Sequence, residues 1–193
     1  MFFPVDDFIR RRAKAPHELA MVNLLLINLL MLIALLAGSF LPKDSPLTPY
    51  KWLGVWVPLL LSLSIIAYSF LRAAQTRARE PWFVAAHWKL AVGRYQTLLL
   101  AYGLGIGLIG LDRLLSLSQK SQGMQELLFL ALQRVALAPI LIALMVLIML
   151  ESGGLYQASR GEVPDGLVKR FPPPEDLPRA PNPISAANPG AQA

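Results

Sequence analysis

The residues best suited to chemistry in this 193-residue sequence are two histidines, His17 and His87. Imidazole ligates haem iron and passes protons, and a bis-histidine haem needs two such rings at similar depth on neighbouring helices. Both fall at the same end of predicted apolar helices, so the pairing is geometrically open. Each is flanked by charge or tryptophan, however, and histidines without a ligand role are commoner at such places. His17 and His87 are therefore weak haem candidates, and the chain is expected to carry no cofactor and no metal.

Arg134 is the sharpest single signal. Counting 1.5 Å per residue from Leu127 puts it about 10 Å along an apolar helix, where a charge snorkels or finds a partner. Asp112 and Glu126 lie at compatible depth, and the expectation is an Arg134–Asp112 ion pair locking the third and fourth helices. Gly103, Gly107 and Gly110 share one helix face, where the missing side chains let another helix approach. Packing inside the same bundle is preferred over a separate subunit. Asn23 and Asn28, five residues apart on an α-helix, point about 140° from each other, which argues against a joint site.

Other chemistry finds no residues. With no cysteine, thiol redox, iron–sulfur and thiolate-metal functions are excluded. No phosphate loop, nucleophile elbow or paired carboxylate occurs, and Gly103-Leu104-Gly105-Ile106-Gly107 lies inside an apolar helix. No acid sits at mid-depth in an apolar run, and no inverted repeat is visible, which weakens a proton-coupled transporter.

The elements that must hold these residues follow from composition. Apolar residues make up 55% of the chain, charged residues only 16%, and the mean hydropathy is +0.49, too oily for a soluble domain of this size. The apolar residues gather into four long runs, about 20–41, 52–71, 92–111 and 127–150, each near the roughly 20 residues a bilayer crossing needs. None alternates polar with apolar, so all four are predicted helices, an all-α four-helix membrane bundle. The first run is too long for a signal peptide and lacks a small-x-small cleavage site at its end, so it is expected to be retained.

Orientation follows from the cations. Thirteen of the 18 lysines and arginines lie before the first run, between the second and third or at the opening of the third (Arg94), or after the fourth. Both termini are thus expected in the cytoplasm of a bacterial cell, facing anionic lipid headgroups. A basic soluble face for nucleic acid is absent.

Between the runs, the three prolines at 42, 46 and 49 predict a stiff external loop, and Trp52 and Trp56 are expected to anchor the next helix at the headgroup layer. Glu80-Pro81 predicts a helix start. Trp82 and Trp88 beyond it are read as interface anchors, with the piece around Phe83 lying along the membrane surface. Residues 1–15 form a predicted surface-lying amphipathic segment, with Pro16 opening the spanning helix and the membrane domain covering 16–156. Glu151-Ser152-Gly153-Gly154 is expected to stop the last helix. The proline-rich tail, 157–193, is expected to be extended or disordered until a partner holds it.

A small bundle without catalytic residues suits a non-catalytic accessory or assembly subunit of an inner-membrane complex, contacting other membrane subunits through its glycine face and tail. A small transporter, with a polar path through Asn23, Asn28, Gln96 and Gln133, and a haem-bearing electron carrier are the rivals.

Overall fold

The computed structural model describes residues 1–38, 45–46, 50, 53–118 and 121–181. Trp52 lies outside them, as does much of the proline loop. The described elements are helical: α1 (Asp7–Val22), a π turn (Asn23–Asn28), α2 (Leu29–Gly38), α3 (Leu53–Arg79), α4 (Trp82–Ser118), α5 (Gln122–Arg160) and the short α6 (Asp165–Arg170). Among the described residues, three helical stretches are long and apolar enough to cross a membrane: Asp7–Ala37, Leu53–Arg79 and Arg134–Arg160. The remaining predicted run, 92–111, lies inside α4.

Helix length exceeds what a membrane requires. At 1.5 Å per residue, the 37 residues of α4 and the 39 of α5 extend about 55 and 58 Å, against roughly 30 Å of hydrocarbon. Glu151-Ser152-Gly153-Gly154 therefore does not stop α5. Two glycines weaken a helix by only about 1 kcal/mol each, which tertiary packing overrides, and Glu151 is itself buried there. The stop comes at Gly161, with φ 72°. An added Cβ at this position would lie 2.6 Å from the Phe3 carbonyl oxygen, so both conformation and space demand glycine. Pro16 also fails to open a helix: it sits inside α1, which starts nine residues earlier. Pro81 does mark the start of α4, its carbonyl accepting the amides of Val84 and Ala85.

The chain divides into two compact units. The first, 1–22 with 65–92 and 150–193, has its own apolar core of Phe3, Ala13, Phe83, Val84, Ala86, Trp88, Ala158, Val163 and Val168. Phe83 and Trp88 are thus buried core residues rather than membrane-surface anchors. Trp82 packs on Phe3 and stacks on Phe171 at 5.9 Å. Their apolar faces meet core partners supplied by both ends of the chain, which the local pattern around residue 82 does not reveal. The N-terminal segment belongs to the same core: Phe3 donates its amide to the Gly161 carbonyl at 2.8 Å, and Val163 donates to Met1 at 2.9 Å.

The first half of the tail is likewise packed. Phe171 lies under the Lys89 ammonium at 4.5 Å, and Ala180 donates to the Phe2 carbonyl at 2.9 Å. Val163, Leu167, Val168, Phe171 and Leu177 supply the apolar contacts that the proline-rich composition lacks on average. Residues 182–193 lie outside the described set.

The second unit, 23–64 with 93–149, buries Leu24, Met31, Leu98, Leu144 and Leu147 and leaves many large apolar side chains outward, among them Leu26, Leu30, Leu100, Ile106, Ile142 and Met149. Such a surface is stable only against lipid or another protein. Trp56 is 56% exposed near the start of α3.

Replacing Gly161 by alanine is expected to destabilise the protein by about 1–3 kcal/mol, the range for a side chain forced into a left-handed conformation. Thermal unfolding of the detergent-solubilised chain measures it, with Gly153→Ala, inside α5 and with nothing within 4 Å of its Cβ, as the comparison, expected to raise stability by up to about 1 kcal/mol.

Candidate functional site

The first unit brings its titratable residues together where the helices meet. His17 comes from the buried face of α1, His87 from α4 and Glu151 from α5, exposed 0%, 0% and 2%. His17 Nδ1 lies 2.5 Å from Glu151 Oε2, and His17 Nε2 lies 2.9 Å from His87 Nδ1. The two rings stand edge-on at 87°, and Phe83 covers His87 at 4.7 Å between ring centres.

With Glu151 as a carboxylate, which only accepts, His17 Nδ1 carries a hydrogen and donates it. With His17 neutral, its Nε2 is an acceptor and His87 Nδ1 donates to it. With one proton more, His17 is an imidazolium that donates at both nitrogens, and His87 accepts. The row of His87, His17 and Glu151 can thus be hydrogen-bonded in either sense, an arrangement suited to relaying a proton.

It is not suited to haem in this geometry. Two axial histidines each lie about 2 Å from a metal, as imidazole ligands generally do, whereas these nitrogens meet directly at 2.9 Å. The structure brings His17 and His87 together, but as a hydrogen-bonded pair whose rings would have to part to admit a metal. No cluster of three or more His, Cys, Asp and Glu able to hold a metal ion occurs among the described residues.

A second polar centre in the same unit ties α1 and α3 to the connection that leads into α4. Glu80, with its side chain 5% exposed, pairs through Oε1 with Arg12 and, at 3.1 Å, with Arg72. Two guanidinium groups offset the cost of burying one carboxylate.

In the second unit the polar singles of the apolar runs find each other. Asn28 Nδ2 donates to the Asn23 backbone carbonyl at 2.9 Å, to Asn23 Oδ1 at 3.1 Å and to Ser62 Oγ at 3.0 Å. The Tyr102 hydroxyl donates to Asn28 Oδ1 and lies 3.0 Å from Ser62 Oγ. The expectation that Asn23 and Asn28 face apart is therefore wrong, and the reason is local. The Asn28 amide reaches back to a main-chain carbonyl, and the helix widens there into a π turn, in which positions five apart share a face. The polar path expected through Gln96 does not form, because Gln96 is exposed; the side chain of Gln133 lies outside the described set.

The glycines divide unexpectedly. An ideal Cβ at Gly103, Gly107 or Gly110 would meet no described atom within 4 Å, so this face has no partner among the described residues, contrary to the expected packing inside the bundle. Gly105 is the packed one, 3.2 Å from Ile140 Cδ1 and 3.3 Å from the Ala136 carbonyl. Arg134 is exposed, and the side chains of Asp112 and Glu126 lie outside the described set, so the expected ion pair does too.

Removing one member of the buried chain leaves the others uncompensated. Glu151→Ala is expected to cost about 3 kcal/mol or more. Glu151→Gln, whose carbonyl still accepts from His17, should cost about 1 kcal/mol, and Glu18→Ala on the exposed face of α1 less than about 0.5 kcal/mol. Chemical denaturation in detergent ranks the three, and equal losses for Ala and Gln would show that the hydrogen bond is not what matters.

The chain matches no protein-family model, no curated protein and no solved structure.

Proposed function

We propose that this chain is a non-catalytic accessory subunit of a bacterial inner-membrane complex, crossing the bilayer four times with both ends in the cytoplasm, and that it holds another membrane subunit against the open glycine face of α4. The observation that carries this reading is the contrast between that face and the two buried polar clusters. His17, His87 and Glu151 are buried and bonded to one another, as separately are Asn28, Ser62 and Tyr102. Among the outward described residues of α4, Gly103, Gly107 and Gly110 form a smooth strip bordered by Leu100, Leu104 and Ile106. In lipid, where apolar surface gives no net drive to associate, such a strip is what lets a second helix gain close dispersion contact.

The four-span topology is supported by the four apolar runs, three of which lie largely in helical stretches long and apolar enough to cross a membrane, and an even number of crossings returns both ends to one side. The cation bias puts that side in the cytoplasm, where anionic headgroups attract it.

Two glycine substitutions separate partner binding from folding. Gly107→Leu is expected to leave the unfolding temperature unchanged and to strip co-purifying membrane subunits from the protein in gentle detergent. Gly105→Leu, which overfills the contact with Ile140, should destabilise the fold by about 1–3 kcal/mol. A protein that purifies alone and moves solute in liposomes, with Gly107→Leu unaffected, would contradict the accessory role.

A further inference from the structure

Phe171, just past the end of α6, presents its ring to two cations from different helices. Trp82 stacks on it at 5.9 Å, with the planes 18° apart, and packs in turn on the core residue Phe3. The Lys89 ammonium of α4 lies 4.5 Å from the ring centre, and the Arg77 guanidinium of α3 lies 5.9 Å from it. A ring attracts a cation through its quadrupole but bears no charge, so it places both groups without neutralising either. No acid does so. Among the described residues neither Arg77 nor Lys89 joins an ion pair. Glu80, the acid nearest to both in sequence, is held by Arg12 and Arg72. In the tail, Glu175 and Asp176 are exposed and joined to no described cation, while the exposed Lys169 and Arg170 beside Phe171 add further positive charge.

We propose that Arg77 and Lys89, set on the Phe171 ring, bind the headgroup of an anionic phospholipid that carries two phosphodiesters. Depth names a lipid as the source of the anion. Lys89 lies three residues, about 4.5 Å, before the third apolar run, inside a headgroup layer roughly 5–8 Å deep. Arg77 starts farther out, and its long side chain reaches back to the same ring. Charge names the headgroup. A zwitterionic lipid brings an ammonium with its phosphate and leaves both cations uncompensated. A lipid with one net charge compensates one of them, and two phosphates compensate both. Arg77 and Lys89 are exposed, so phosphate oxygens can reach their N–H groups. The site rests on the proposed threading for its leaflet, and not for its chemistry.

Native mass spectrometry of the full chain tests this, with the protein titrated in detergent with cardiolipin, phosphatidylglycerol, phosphatidylethanolamine or inorganic pyrophosphate. Cardiolipin should bind tightest. Arg77→Gln or Lys89→Gln should weaken it about fivefold and the double variant about thirtyfold, with the unfolding temperature in the absence of lipid unchanged. The control R11Q/R79Q removes the same charge from two exposed arginines that touch no described aromatic ring, and it should bind cardiolipin as the unaltered chain does. Equal weakening by the two double variants would reduce the effect to overall charge and overturn the site. Equally tight phosphatidylethanolamine, or pyrophosphate bound where cardiolipin is not, would overturn it too. Should the double variant not fold, the two single variants carry the comparison. Gly107→Leu, which tests the accessory role, should leave cardiolipin binding untouched, so either reading can fail without the other.

Discussion

A polar side chain that enters an apolar helix must find its partner within the protein, and this requirement shapes both halves of the molecule. In the unit that carries both ends of the chain, α1, α4 and α5 meet through His17, His87 and Glu151. In the other, the first helix, α3 and α4 meet through Asn28, Ser62 and Tyr102. Each contact joins three helices with neutral or singly charged groups, and each is directional where apolar packing is not. Dispersion contact alone leaves the rotation of a leucine-rich helix poorly specified. A buried amide or imidazole with one acceptable partner fixes it.

Helix length is the second determinant. α4 and α5 are nearly twice as long as the hydrocarbon is thick, so their ends must be stabilised by something other than lipid. Phe3, Phe83, Trp88, Val163 and Val168 supply that core, and the turn at Gly161 lets the chain fold back so that main-chain bonds from residues 161, 163 and 180 meet residues 1–3. The packed tail and the buried N-terminal segment are thus parts of one device. Neither has enough apolar surface to be ordered alone, and each provides the other with main-chain partners.

How much of this the sequence discloses depends on the range of the signal. Runs of apolar residues, the helix start at Pro81 and the outward Trp56 are local features, and composition and spacing reveal them. The His17–Glu151 contact spans 134 positions, and nothing near either residue announces it. Local rules also fail where a distant partner overrides them, as at Gly153-Gly154, where α5 continues because Glu151 is bonded elsewhere. Asn23 and Asn28 show a subtler failure. The α-helical period sets them about 140° apart, but from Asn23 to Asn28 the helix is a π turn, in which the Asn28 amide bonds the Asn23 main-chain carbonyl. A pair of asparagines five apart in an otherwise apolar run was the available clue. For Gly103, Gly107 and Gly110 the small-residue spacing was legible, while the absence of a described neighbour on that face was not.

The proposed threading takes the chain across the bilayer four times and returns both ends to the cytoplasmic side. A chain without native cysteine allows that to be measured without background, by placing single cysteines at Ser45, Gln75, Ser121 and Glu175 and labelling intact cells with a membrane-impermeant maleimide. S45C and S121C should react from outside, and Q75C and E175C only after the membrane is opened. Labelling of S45C and S121C from opposite sides would contradict the account.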